Sequence, residues 1–169
     1  RVLDFISTGD INGVFQWATR NYKVVIKDVV PSSFKQLVDL NTLGRSAALM
    51  SGLTERYIKR KNGTEPTLPL HPKLEGLMKE TFELPLYQEQ IMLIFVELAG
   101  YTMSEADDVR KAIGKKKPEI MAQQKVMFME RCIEKGITEA EVEELWSIID
   151  KFSKYTWNIG HAMSYTTIC

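Results

Sequence analysis

The sequence predicts a mainly α protein, a multi-helix domain with at most a short extended segment near its N-terminus. Apolar residues recur at three- and four-residue intervals, as in Ile91, Ile94, Phe95 and Leu98, the spacing of one helix face. Start and stop signals punctuate these stripes: Thr138 with Glu141 forms a capping box, and Gly44, Gly63 and Gly136 stand where helices should end. Strand-like pattern before Tyr22 is confined to Gly13-Val14-Phe15-Gln16-Trp17, after the turn Ser7-Thr8-Gly9-Asp10, and the β-branched run Val24, Val25, Ile26 is open to strand or helix.

In order, Val2, Leu3, Phe5 and Ile6 make an apolar opening, and Tyr22 to Val30 reads as a helix closed by Pro31. Pro31-Ser32-Ser33 caps a helix with Phe34, Leu37, Val38, Leu40 and Leu43 on its stripe. Leu49 to Lys61 reads as one helix, stopped by Asn62-Gly63. Leu74 to Phe82 follows, then Leu86 to Ala99, so apolar on all sides that a central position is expected. Ser104 is placed to cap a helix from Tyr101 to Lys115, with Glu105, Asp107 and Asp108 in its first turn. Helices from Pro118 to Lys135 and from Glu139 to Lys154 come next, and Asn158 can cap a last one beginning near Gly160.

Pro66, Pro69 and Pro72 fall within nine residues, too dense for a helix or a central strand. Residues 1–63 are therefore expected to form an N-terminal helical part, 64–72 a proline-rich connector, and 73–169 a C-terminal helical part. With 169 residues, 44% apolar and 26% charged, the chain is long enough to bury a core. Its 22 basic and 22 acidic residues cancel, so any affinity for a polyanion must come from local patches. Cys132 and Cys169 are too few for a disulfide framework and fit a reducing, cytoplasmic compartment. No apolar run approaches the roughly 20 residues of a membrane span, and no membrane partner is expected. The first residue is Arg1, and the sequence reads as a segment of a longer chain.

Independent catalysis finds no support. His71 and His161 are the two histidines, and no HExxH, GxSxG or phosphate-binding glycine loop occurs. Asp107 and Asp108 are adjacent, which points them to different sides of a helix and disfavours a metal pair. The cations are more informative. Arg45, the set Arg56, Lys59, Arg60 and Lys61, and the set Arg110, Lys111, Lys115, Lys116 and Lys117 stand at helix ends. Basic residues there can be ordinary end-chemistry, complementing the helix dipole, or an anion grip. Tyr87-Gln88-Glu89-Gln90 is a polar start to the most apolar helix. His161 and Tyr165, four apart, share a helix face, compatible with a core role as well as a binding one.

The ordered set of motifs Gly9-Asp10 with Gly13-Val14-Phe15-Gln16, Ser51-Gly52, Arg56-Tyr57-Ile58, Arg60-Lys61, Tyr87 to Gln90, Leu98 to Tyr101, Ala106-Asp107, Arg110 to Pro118, Lys151-Phe152, and Asn158, His161, Ala162 and Tyr165 resembles the fingers region of the bacterial replicative DNA polymerase III α subunit, a family C polymerase. The match runs along almost the whole chain. The resemblance implies a helical fingers domain that binds an incoming dNTP and contacts primer-template DNA. It implies a parent DNA-directed DNA polymerase whose catalytic aspartates hold two Mg2+ ions in a palm outside this chain, so that the segment alone is inactive. Further implied partners are the rest of the polymerase chain and replisome subunits.

Carried over by position, Arg110 and Lys111 match a basic pair that reaches the triphosphate, Lys115, Lys116 and Lys117 the adjacent lysine run, and His161 a histidine near the sugar. Tyr165 lies one turn beyond His161, and Gln88 belongs to the polar cluster expected to line the nucleotide site. Arg45, Arg56, Lys59, Arg60 and Lys61 are the expected DNA contacts. Arg45 precedes Ser46-Ala47-Ala48 where the family usually has Pro-Gly-Pro, and Lys111 stands where an arginine is usual, keeping charge without a bidentate fork. Two other readings of the cations remain open, a freestanding helical DNA-binding module without a nucleotide pocket and a purely structural scaffold.

Overall fold

A computed structural model describes residues 2–114, 118–153 and 155–169. Among these residues it contains ten α-helices and two short 3-10 turns. Among the described residues an isolated bridge joins Tyr87 to Trp157 in parallel sense.

The N-terminal region builds α1 (Val2–Ser7), α2 (Arg20–Val29), α3 (Phe34–Leu43), α4 (Ser46–Ser51) and α5 (Leu53–Lys61). Residues 13–17, expected to be extended, are instead part of a succession of turns. Val14 N donates to Ile11 O and Trp17 N to Val14 O. Ile11 and Trp17 are buried, and Val14 packs against them from the edge. That three-residue rhythm suits turns rather than the two-residue alternation of a strand. The β-branched run of α2 is helical because Tyr22, Val25, Ile26 and Val29 fall on one face when wound at 3.6 residues per turn.

The helix expected from Leu49 to Lys61 is two helices. Gly52 at φ +79° takes a left-handed conformation that breaks the run, and the Ser51 hydroxyl accepts from Leu53 N across the break. Leu74 to Phe82 is likewise not a helix but a loop holding 3-10 turns at Pro72–Leu74 and Lys79–Thr81. It ends on Phe82 and Glu83, both at positive φ. The connector between them is fastened to α5: Arg60 Nη1 donates to Leu68 O, Phe82 O and Glu83 O, and its Nε donates to Glu65.

Beyond the connector lie α6 (Gln88–Ala99), α7 (Met103–Gly114), α8 (Pro118–Glu134), α9 (Glu139–Ser153) and α10 (Ile159–Ile168). Phe95 of α6 packs its ring against Tyr101, Phe128 and Trp146. This places α6 at the centre of one apolar cluster with α7, α8 and α9, as its all-round apolarity predicts. A second cluster gathers α1, α2, α3 and α5 and takes in Leu84, Leu86, Tyr87, Phe152 and Ala162. The last helix thus returns to the first half of the chain and packs along α3.

α3 is the centre of that second cluster. Every residue from Leu37 to Leu43 is buried, including Asp39 and Asn41. Gly44, at its end, faces the Tyr22 ring so closely that a Cβ would lie 2.3 Å from Cε1. The Asp39 carboxylate accepts from Lys35 Nζ at 2.6 Å, from the Tyr57 hydroxyl at 2.7 Å and from the Tyr87 hydroxyl. Burial first, and then the facing carboxylate, hold both phenols well above the usual tyrosine range. Asp39→Ala would leave two hydroxyls and an ammonium without their acceptor. We expect it to destabilise the chain by about 3 to 5 kcal/mol, read from denaturant unfolding, with Tyr57→Phe costing much less.

Candidate functional site

α7 begins with Thr102 and Glu105 rather than at Ser104. Thr102 N and Oγ1 donate to Glu105 Oε2, and Glu105 N donates back to Thr102 Oγ1, a reciprocal cap that satisfies the exposed amides of the first turn. Arg131 of α8 reaches the other Glu105 oxygen at 2.8 Å and lays its guanidinium over the Tyr101 ring. On the last turns of α7, Arg110 Nε donates to Asp107 at 2.7 Å, while Lys111 Nζ lies 2.9 Å from Asp107 and 3.2 Å from Asp108. Hydrogen bonds from Lys111 and then Arg110 hold the Asp107 carboxyl below its ordinary range, and Asp107 first raises Lys111. The two acids are therefore counter-ions of the basic pair, one turn back along the helix. Lys115, Lys116 and Lys117 lie outside the described residues.

α10 carries His161 and Tyr165. The Asn158 side chain caps its start by accepting from His161 N at 2.9 Å. Glu89, in the first turn of α6, accepts from both Ile159 N and the Asn158 amide. Its carboxylate therefore occupies the positive end of α10, where the helix dipole favours it. Gln88 N donates to Trp157 O at 3.0 Å, a second tie between the same two helix starts.

The rings on this edge form a continuous column. The Arg45 guanidinium lies 3.6 Å from the centre of the Trp157 ring, the indole meets the His161 imidazole edge-on at 5.0 Å, and His161 lies 4.1 Å from Tyr165. Tyr165 in turn stacks on Phe15 at 5.6 Å with only 13° between the planes. Phe15 is exposed, whereas His161 and Tyr165 are half-buried. Such offset contacts suit ring quadrupoles and a cation over an indole face.

Helices α6 and α7 are each 12 residues long, are joined by residues 100–102, and pack along one another. So short a connector between packed helices makes an antiparallel hairpin. Arg110 and Lys111 lie on the last turns of α7, and Glu89 fastens the first turn of α6 to the start of α10. A hollow of about 260 Å³ adjoins this junction, lined by Lys35, Tyr87, Glu89, Gln90 and Ile159 among others.

The basic residues of α5 behave differently from one another. Arg56 pairs with Glu65 and Lys59 with Glu55. The Lys61 ammonium donates to Val30 O and is pushed down by burial. The Arg60 side chain is 4% exposed and spends its donors on Glu65 and backbone carbonyls, leaving no outward face for a phosphate. Sequence reasoning gives Phe15 and Glu89 only as members of motifs, and Trp157 and Asn41 not at all. A tryptophan directly before a helix cap was the available signal for Trp157.

Among the described residues, no group of three or more His, Cys, Asp or Glu side chains is arranged to hold a metal ion, and the described acids do not fit a two-magnesium centre. Cys132 and Cys169 are free thiols. No helix among the described residues is long and apolar enough to cross a membrane.

The helical architecture and the order of these residues have the pattern of a polymerase fingers domain. The family model for the bacterial DNA polymerase III alpha subunit finger domain matches residues 1–136, and the chain belongs to that family. It is 42% identical over 165 residues to DNA polymerase III subunit alpha of Aquifex aeolicus, covering 98% of this chain and 14% of that protein. Against the Escherichia coli K12 protein of the same name the identity is 35% over 170 residues, with 98% and 15% covered. Against that of Bacillus subtilis it is 33% over 168 residues, with 99% and 15% covered. The chain spans about 14 to 15% of the length of these relatives.

The cap of α7 has a pH signature. Hydrogen bonds from Arg131 and then Thr102 bring the Glu105 carboxyl down to about 2, below the ~4.3 of an unfolded glutamate. A depressed folded-state value means that its stabilisation is fully present above about pH 4.3 and is lost as pH falls through about 2. Thermal melts should show the parent losing stability over that window and Glu105→Gln losing less.

Proposed function

We propose that this domain is the fingers of a DNA-directed DNA polymerase and supplies nucleotide binding and positioning, with the catalytic palm and its Mg2+ ions in another part of the polymerase chain. The relatives are each named as a DNA polymerase III subunit alpha, which supports that parent activity and, with it, dNTP, primer-template DNA and other replication subunits as partners. One observation carries the nucleotide reading. Arg110 and Lys111 share an acid on the last turns of α7, which packs on α6, the helix whose first turn Glu89 ties to α10 and His161.

In this reading Arg110 and Lys111 exchange Asp107 for the β- and γ-phosphates. The exchange replaces one carboxylate by a more highly charged anion with more acceptors, so it is favourable while leaving the cations neutralised between turnovers. Their fixed charge then opposes the negative charge developing on the leaving pyrophosphate. The lysine run at residues 115–117 extends the same grip. His161, steadied between Trp157 and Tyr165, stands beside the sugar and discriminates against a 2′-hydroxyl, with Gln88 at the neighbouring helix start. Arg45, stacked on Trp157, is the strongest of the DNA-contact candidates. Arg56, Lys59 and Lys61 serve as outer contacts, and Arg60 belongs to the framework.

In the complete polymerase, Arg110→Ala should lower kcat/KM for dNTP by the equivalent of about 2 to 4 kcal/mol, and an unchanged value would refute the grip. His161→Ala should change the ratio of deoxynucleotide to ribonucleotide incorporation. Equal ratios in variant and parent would remove His161 from sugar recognition.

A further inference from the structure

Asn41 is buried in the middle of α3, and more of the site is referred to it than to any neighbouring residue of that helix. Its Oδ1 accepts from Trp17 Nε1 at 3.1 Å, and its Nδ2 donates to Ala162 O at 3.3 Å and to Thr166 Oγ1. Its backbone oxygen accepts from the Tyr22 hydroxyl at 3.2 Å and from Arg45 Nε at 2.9 Å. An indole nitrogen is only a donor, so Trp17 fixes which end of the amide is oxygen and leaves the NH2 group turned toward α10.

That NH2 group holds α10 by Ala162 and Thr166, which are both buried and stand one turn apart. Thr166 Oγ1 also donates to Ala162 O, closing a triangle of amide, hydroxyl and carbonyl. Ala162 directly follows His161, and Tyr165 directly precedes Thr166. The rotation of α10 about its own axis, and with it the direction of the His161 and Tyr165 rings, is therefore set by two bonds from one side chain. Arg45, at the other end of the ring column, is referred to the same residue through its backbone oxygen. α3 has no basic or aromatic group of its own in the column.

We propose that Asn41 is a positioning residue for nucleotide selection: it fixes the rotation of α10 so that His161 meets the sugar of the incoming nucleotide. The proposal rests on the reading of His161 given above. Its physical basis is that an apolar helix interface tolerates small rotations, whereas a buried donor facing a carbonyl does not, because the rotated state leaves both groups unsatisfied.

The test uses the complete polymerase. Asn41→Asp keeps the shape and the acceptor for Trp17 but places carboxylate oxygen against Ala162 O. Thr166→Val removes the hydroxyl from the triangle at constant volume, and it serves should Asn41→Asp fail to fold. Both should lower the ratio of kcat/KM for dNTP to that for the matching ribonucleotide, by about tenfold for Asn41→Asp, the scale of a small misplacement at a reacting group. Thr166→Ser, which retains the hydroxyl, should restore the parent ratio. Adding His161→Ala to Asn41→Asp should lower the ratio no further than His161→Ala alone, since both act through one ring.

A responsive His161→Ala with silent Asn41→Asp and Thr166→Val would overturn the proposal and leave the sugar reading standing. Fully multiplicative effects of the two substitutions would also overturn it. A silent His161→Ala would remove the sugar reading itself and this proposal with it.

Discussion

A carboxylate and a carboxamide two residues apart on one buried helix hold the two halves of this domain in register. Asp39 binds Tyr57 of α5 and Tyr87 at the head of α6, while Asn41 binds Trp17 and the carbonyl edge of α10. Positions two apart on a helix are rotated by about 200°, so Asp39 and Asn41 reach different elements. Apolar packing around Leu37, Leu40 and Leu43 supplies cohesion without direction, since hydrophobic burial is indifferent to small sliding and rotation. The buried polar groups supply the direction, because each has partners only in one arrangement. The starts of α6 and α10 both trace back to this pair, through Tyr87 to Asp39 and through Ala162 to Asn41.

The domain is neutral overall, and several of its cations are matched locally. Arg110 and Lys111 hold Asp107, Lys59 holds Glu55, Arg56 and Arg60 share Glu65, and Arg131 holds Glu105. Exposed pairs of this kind contribute little to stability, so their interest lies elsewhere. A cation already facing a carboxylate is pre-oriented yet not locked, because the pair is solvent-accessible and its net strength is small. A phosphate-bearing ligand can take the place of the carboxylate at little cost. Arg60 is the contrary case: besides Glu65, its donors meet the carbonyls of Leu68, Phe82 and Glu83, and its side chain is almost wholly buried, so no ligand can be exchanged there.

The sequence made the long elements readable and the hubs unreadable, for physical reasons. α6, α8, α9 and α10 carry both an apolar stripe and a local stop or cap, and those signals lie within a few residues of one another. Asp39 and Asn41 interrupt an apolar stripe, and the one local side-chain partner the two have among the described residues is Lys35, a turn before Asp39. Their other partners lie at Trp17, Tyr57, Tyr87, Ala162 and Thr166, up to 125 residues away, and no window along the chain brings these together. Arg60 looks like an ordinary basic helix end for the same reason, since the carbonyls that bury it belong to the far side of the connector. Gly52 was visible as a residue, but its left-handed turn is one of several conformations a glycine inside a helical pattern can take. The basic pair on α7 was legible because charge clustering is local. Its counter-ions were in plain view at three and four residues' spacing and were read only as dipole complements.

The carboxylate of Glu89 gives the site a sense of direction. A free helix start is a natural seat for a phosphate, and α10 would offer one beside His161. Glu89 already fills it, bound to Ile159 N and to the capping Asn158. In the proposed reading, an anionic ligand at this edge is kept off the start of α10 and its charge is left to the cations of α7. The less charged part of such a ligand is left to face the imidazole and the stacked rings. A single internal anion thus polarises the cleft, and a molecule with one charged tail and one neutral body has only one favourable way round.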